Sequence, residues 1–198
     1  MMDRRELLYR ASMLLGGAIT ASAASGILAG CTTTSPDTIG DVKTGFLTPA
    51  ETATVSALAD QIIPRTDTPG ATDVGVPAFI DRMLAGFYTD KERDIVRAGL
   101  ASVDADANRL RGKPFAQLTS DEQVALMKQY DQAQYDYTRA NATTQNAPPH
   151  YFRLIKELTI IGFCTSEPGA KQLMRYEQTP GPYRGDVPVS EIGKAWAL

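Results

Sequence analysis

From residue 47 onward the apolar positions of the chain fall at helical spacing, in segments separated by Pro, Gly and polar runs. Leu47-Thr48-Pro49-Ala50-Glu51 opens the first segment. Thr48 stands as N-cap, Pro49 at the first helical position, and Glu51 closes a capping box. Val55, Leu58, Ala59, Ile62 and Ile63 form its stripe, and Pro64 ends it. Arg65 to Val76 reads as a loop, with Pro69, Gly70 and Gly75 as breakers. Pro77 opens a short second helix carrying Phe79, Ile80, Met83, Leu84 and Phe87. Thr89 caps a third, whose Val96, Leu100, Val103, Ala107 and Leu110 step by four and three before Gly112-Lys113-Pro114 stops it. Thr119-Ser120-Asp121-Glu122 is a further capping box, and the helix it opens has Val124, Met127, Tyr130 and Tyr137 on one side. Asn141 to Pro149 is a polar loop.

The segment from His150 to Cys164 is the most hydrophobic after residue 30. Its apolar residues nearly encircle a helix, interrupted by Arg153, Lys156, Glu157 and Thr159. Such a helix is central to a core or covered by a partner. Gly162 within it costs about 1 kcal/mol relative to Ala, which points to a close approach at that position. Residues 167–174 allow one more short helix. Beyond Arg175, Pro180-Gly181-Pro182, Gly185 and Pro188 forbid regular structure. No run alternates with the period of a strand. The pattern predicts an all-α fold: five to six helices in one bundle-like domain over residues 47–198, with a long irregular C-terminal tail.

The first residues follow a different pattern. Arg4 and Arg5 head a weakly apolar run rich in Gly, Ala and Ser, closed by Leu28-Ala29-Gly30-Cys31. Residues 1–30 read as a signal peptide of twin-arginine type, with the general secretory route as the alternative. Leu28 to Cys31 resembles a bacterial lipobox, in which the Cys is acylated and becomes the new N-terminus. Residues 31–46 follow as a flexible tether. The protein is then expected on the periplasmic side of the envelope, exported and lipid-anchored to a membrane. Removing residues 1–30 leaves 168 residues, enough for one sizeable core, and takes the net charge from −3 to −4. Nothing basic is clustered, so nucleic acid is excluded as a partner class.

The chemistry legible in the sequence is sparse. The one histidine, His150, follows Pro148-Pro149 at a helix start and reads as a cap or surface residue. No glycine-rich phosphate loop and no CxxC or CxxCH occurs, so no catalytic, metal or cofactor-binding residue is assigned. Asp104 with Asp106, and Asp121 with Glu122, read as solvated surface. Three features are candidate contacts with another protein. One is the polar loop Arg65-Thr66-Asp67-Thr68-Pro69-Gly70-Ala71, readable equally as a turn held by its own Asp and Thr side chains. The second is Arg153 with Glu157, an i,i+4 pair readable equally as an intrahelical salt bridge. The third is the tail with Tyr176, Tyr183 and Trp196, which either wraps a partner or folds back on its own helices. Cys164 is a buried small hydrophobe or an intermolecular pairing site.

Leu47-Thr48-Pro49-Ala50-Glu51, Ala57-Leu58-Ala59-Asp60-Gln61-Ile62-Ile63-Pro64 and Thr66-Asp67-Thr68-Pro69-Gly70-Ala71 resemble the N-terminal signature of the gluconate 2-dehydrogenase subunit 3 family. Tyr151 to Thr159 and Thr165-Ser166-Glu167-Pro168-Gly169-Ala170 resemble its second block, and Tyr176-Glu177, Pro180-Gly181-Pro182-Tyr183 and Trp196 its ending. The resemblance implies a small subunit, itself without cofactor or catalysis, of a membrane-bound sugar or sugar-acid dehydrogenase. The implied partner is an FAD-carrying flavoprotein of the glucose–methanol–choline type, with a multihaem cytochrome c as a frequent third subunit. It further implies that the small subunit supports maturation and export of the flavoprotein. The lipobox departs from the usual family signal and would anchor the complex directly. The rival expectation is an independent envelope lipoprotein acting as a binding or scaffolding module.

Overall fold

The computed structural model describes residues 45–198 apart from Pro180, Tyr183 and Leu198. Arg4, Arg5, Cys31 and the signal segment lie outside the described residues, as does Tyr183. The elements are α1 (Pro49–Ile62), α2 (Val76–Gly86), α3 (Asp90–Arg111), a 3-10 turn (Phe115–Gln117), α4 (Ser120–Ala140), α5 (Tyr151–Cys164), a π-helical turn (Gly169–Leu173) and the short α6 (Val189–Ile192). Among the described residues there is no strand, only an isolated bridge between Arg175 and Trp196. The fold is therefore the expected all-α one.

Local sequence explains where the helices start. Thr48, Thr89 and Thr119 each accept the amide of the residue three further on, while Glu51, Glu92 and Glu122 each accept the threonine amide. Each box satisfies two amides that a helix start leaves orphaned. α2 has no side-chain cap; it begins after Gly75, held at φ 77° in the left-handed region, with Pro77 in its first turn. Its far end is closed from outside: the Arg93 guanidinium on α3 donates to the carbonyls of Leu84 and Ala85 at 3.4 and 3.2 Å.

α5 is the organising element. It packs against α1, α2, α3 and α4, and Phe152, Leu154, Ile155, Leu158 and Phe163 are buried along it. Around it lie Val55 and Leu58 from α1, Ile80 and Leu84 from α2, Val96, Leu100 and Val103 from α3, and Met127 and Tyr130 from α4. Two glycines allow the closest approaches. A Cβ on Gly162 would lie 2.6 Å from the Phe79 ring, and one on Gly99 would lie 2.1 Å from the Tyr151 ring. The approach expected at Gly162 is thus made by an aromatic side chain of α2.

Several positions differ from expectation. Leu110 and Phe87 are exposed, because each sits at the end of its helix beyond the last covering neighbour. Thr159 is not an interruption of the apolar surface but a core residue, its hydroxyl donating to the Ile155 carbonyl at 2.7 Å. Asp104 is not solvated surface: its carboxylate accepts from the Thr54 hydroxyl at 3.0 Å and from the Phe115 amide at 3.0 Å. This bond seats the 3-10 turn so that Phe115 is fully buried. Gln123, also buried, donates to the Phe115 carbonyl at 3.0 Å and accepts from Gln61 at 2.8 Å. The expected short helix at 167–174 is a single π turn, and the tail contains one helical turn, α6, which Pro188 precedes as N-cap.

Gly45 and Phe46, the end of the expected tether, are held. The amides of Gly45 and Leu47 donate to the two Asp81 carboxylate oxygens of α2 at 2.8 and 2.7 Å. Arg97 of α3 donates to the Phe46 carbonyl at 2.9 Å, bonds Glu51 at 3.1 Å, and lies over the Phe46 ring at 4.3 Å.

Candidate interface on the outward face of α5

At 100° per residue, Arg153, Glu157, Ile160, Ile161 and Cys164 fall within about a third of a turn on one side of α5. The remaining faces are occupied by the core. Arg153, Glu157, Ile160 and Ile161 are exposed and Cys164 is half-buried. Arg153 Nε donates to Glu157 Oε1 at 2.7 Å, with both side chains about half in water. The intrahelical pair forms, and it also borders the two isoleucines. An exposed pair of this kind stabilises the helix by roughly 0.3–0.5 kcal/mol. Cys164 is bonded to no other cysteine among the described residues and packs on the edge of the core.

A groove flanks each side of this strip. On one side Ile62, Val124, Met127 and Phe152 floor an apolar groove of about 260 Å³, with Lys156 and Asp131 at its rim. Lys156 pairs with Asp131 and lies 5.8 Å from the Phe152 ring centre. On the other, Arg153 and Glu157 join Tyr88, Glu92, Tyr137 and His150 around a polar groove of about 590 Å³. Burial raises the Tyr88 phenol above its ordinary value, helped by the negative charges of Glu92 and Glu157. Burial alone lowers the His150 imidazole. Its Nδ1 accepts the Phe152 amide at 3.3 Å, so His150 is the N-cap of α5.

The other candidate residues lie elsewhere. Arg65 pairs with Asp73, whose second oxygen accepts the Gly70 amide at 2.8 Å. Asp67 accepts the Thr66 hydroxyl at 2.9 Å, and Asp60 accepts both the amide and the hydroxyl of Thr72 at 3.1 and 2.7 Å. The loop is stitched to itself and to the end of α1. The Arg65 bond and charge hold the Asp73 carboxyl below its ordinary range. Within the chain, the two ends of the tail close on each other. Arg175 and residues 195–197 exchange backbone hydrogen bonds of 2.8 and 2.9 Å, and the Arg175 guanidinium lies 4.3 Å from the Trp196 ring centre. Tyr176 and Trp196 remain partly exposed.

Structure thus brings Arg153, Glu157 and Cys164 onto one face and leaves Arg65, Asp67, Tyr176 and Trp196 in two separate segments. The sequence pattern marks the whole helix 150–164, with Ile160, Ile161 and Lys156, as core or partner-covered without saying which face is open, and it passes over Asp131, which belongs with that face. The available signal was the helical phase of Arg153 and Glu157, extended by one turn. Among the described residues no group of three His, Cys, Asp or Glu side chains is placed to hold a metal ion, and no helix is long and apolar enough to cross a membrane.

The described residues form a helical body whose outward α5 face carries two exposed isoleucines between an ion pair and a cysteine. The chain belongs to the gluconate 2-dehydrogenase subunit 3 family, whose model matches residues 49–181. No curated protein and no solved structure matches it.

Proposed function

We propose that this chain is the non-catalytic small subunit of an exported, flavin-dependent dehydrogenase complex acting on a sugar or sugar acid. Membership of a family described as subunit 3 of gluconate 2-dehydrogenase carries the reading. FAD is held by a flavoprotein partner of the glucose–methanol–choline type. The small subunit contributes maturation, export and anchoring. Arg4 and Arg5 direct a folded, flavin-loaded pair through the twin-arginine route, and a lipid on Cys31 fixes the complex to a membrane on its periplasmic side. The small helical body gains little from folded export on its own account, whereas a partner loaded with flavin in the cytoplasm requires it.

The test is capture of the C-terminally tagged full chain from detergent-solubilised native membranes. A stoichiometric partner with flavin absorption near ~450 nm is expected, the absorption being a property of the cofactor. A colourless single band overturns the proposal. Non-reducing electrophoresis of the captured material reads Cys164 at the same time: a band containing both chains assigns it to an intersubunit disulfide, and unchanged migration assigns it to a free thiol.

A further inference from the structure

We infer that Gly45–Leu47 is a latch: it fastens the entry of the chain across α2 and α3, and it opens by itself while the helices beneath it stay folded. The inference is independent of the subunit reading. The latch is closed from two sides. On α2, the Asp81 carboxylate accepts the Gly45 amide on one oxygen and the Leu47 amide on the other. Asp81 has no further side-chain partner among the described residues. On α3, Arg97 donates to the Phe46 carbonyl and stacks on the Phe46 ring, and the Arg93 guanidinium lies 6.0 Å from the same ring centre. One helix thus holds the amides on either side of Phe46, and the other holds its carbonyl and its ring. Gly45 takes φ 92°, in the region that favours glycine, so a side chain at this position strains the turn into the latch.

The same contacts set how the latch opens. The bonds at Gly45 and Phe46 are exposed, and that at Leu47 is part-buried. Leu47 is the one fully covered side chain of the three, and Phe46 is packed only partly against the core. Exposed hydrogen bonds over little buried apolar surface mark a segment that opens at less cost than the whole domain. α1, α2 and α3, which keep Val55, Leu58, Ile80, Leu84, Val96 and Leu100 in the core, need not move for it.

The test is chymotrypsin cleavage of the purified full chain, in buffer and in urea below the unfolding transition. The fragment beginning at Leu47 is quantified by mass spectrometry, and the cut after the buried Phe163 reports unfolding of the body. Against a synthetic peptide of residues 40–52, the cut after Phe46 is expected to be slower by about tenfold or more. It is expected to change little with urea, while the Phe163 cut rises steeply, since a local opening exposes little new surface. Asp81→Ala removes two charge-assisted bonds and is expected to speed the Phe46 cut by about tenfold or more. Asp81→Asn keeps one acceptor oxygen and is expected to fall between; Gly45→Ala is expected to act in the same direction. Arg97→Ala is expected to match Asp81→Ala, and Arg65→Ala, in the loop after α1, to stay within about twofold of the unaltered chain. A variant whose Phe163 cut also accelerates is judged by Asp81→Asn and Gly45→Ala instead. A Phe46 cut as fast as in the peptide shows that no latch is closed. A cut that follows the urea dependence of Phe163 shows that the segment opens only with the whole body. A rate unchanged by Asp81→Ala and Arg97→Ala shows that these side chains do not hold it. Each of the three overturns the inference.

Discussion

Replacing Asp104 with Ala removes the acceptor shared by the Thr54 hydroxyl and the Phe115 amide, both in part-buried surroundings. Each donor is then left without its bond inside the protein, and an unsatisfied group of that kind costs ~1–3 kcal/mol. We expect Asp104→Ala to lower the unfolding free energy by about 2 kcal/mol, measured by urea denaturation. A loss below about 0.5 kcal/mol would mean that water replaces the carboxylate at both donors. The nearby Asp106 gives a contrast: its salt bridge with Arg109 at 2.8 Å is three residues along the same helix and exposed. Pairs of that kind contribute little. Two carboxylates two residues apart thus differ in role because α1 and the 3-10 turn reach only one of them.

At the scale of the element, the two close-packed glycines give a graded prediction. Ala in place of Gly gains up to ~1 kcal/mol of helix propensity, while overpacking costs typically 1–3 kcal/mol. The new Cβ of Gly99→Ala would stand 2.1 Å from the first ring carbon of Tyr151, where the ring is tied to its own backbone. That of Gly162→Ala meets the side of the half-buried Phe79 ring at 2.6 Å, farther from the atoms that fix the ring to its backbone. We expect Gly99→Ala to lose about 2 kcal/mol and Gly162→Ala about 1 kcal/mol or less, both read from chemical denaturation. The reverse order would mean that Tyr151 moves more freely than Phe79.

The helix starts and stops were legible because they are local: the Thr48 and Thr119 boxes, the Thr89 cap, Pro49, Gly112 and Pro64 each act within a few residues. The exposed strip was not. A helix apolar almost all round does not state which face is left open; that depends on where α1 to α4 settle. Thr159 was misread for the same reason, since its hydroxyl finds a carbonyl one turn back and can be buried without a partner on another element. Phe115 was invisible because its burial depends on Asp104, eleven residues earlier.

At the scale of the whole molecule, acid and base act on different residues. The caps hold the Glu92 and Glu122 carboxyls low through bonds from Thr89 and Thr119; for Glu51, burial works the other way but Thr48 and Arg97 outweigh it. His150 is lowered by burial from its ordinary 6.5. In all four groups the folded value lies below the unfolded one, so the unfolded chain takes up protons first and acid favours unfolding. The His150 contribution is full above pH 6.5 and fades below it. The glutamate contributions are full above their ordinary 4.5 and fade beneath that. Tyr151 has the opposite sign: burial pushes it up to about 12, so its contribution is present below the ordinary 10 and lost as pH rises toward 12. Thermal melts across pH should therefore show a plateau from about 6.5 to about 10. The first decline, just under 6.5, should vanish in His150→Asn, which keeps a capping acceptor. A decline that survives that change assigns it to other groups.

The grip on Gly45, Phe46 and Leu47 has a mechanical meaning. A pull on the preceding chain reaches Asp81 on α2 and Arg97 on α3 before it reaches the first turn of α1. Its hydrogen bonds and the stacked Phe46 ring share that load on two helices, as a cable clamp takes tension ahead of the plug. α1, with Val55 and Leu58 seated in the core, is tied to the same grip through the Arg97–Glu51 pair. Under the N-terminal anchor proposed above, the clamp would spread the jostling of that anchor over two helices before it reaches the core.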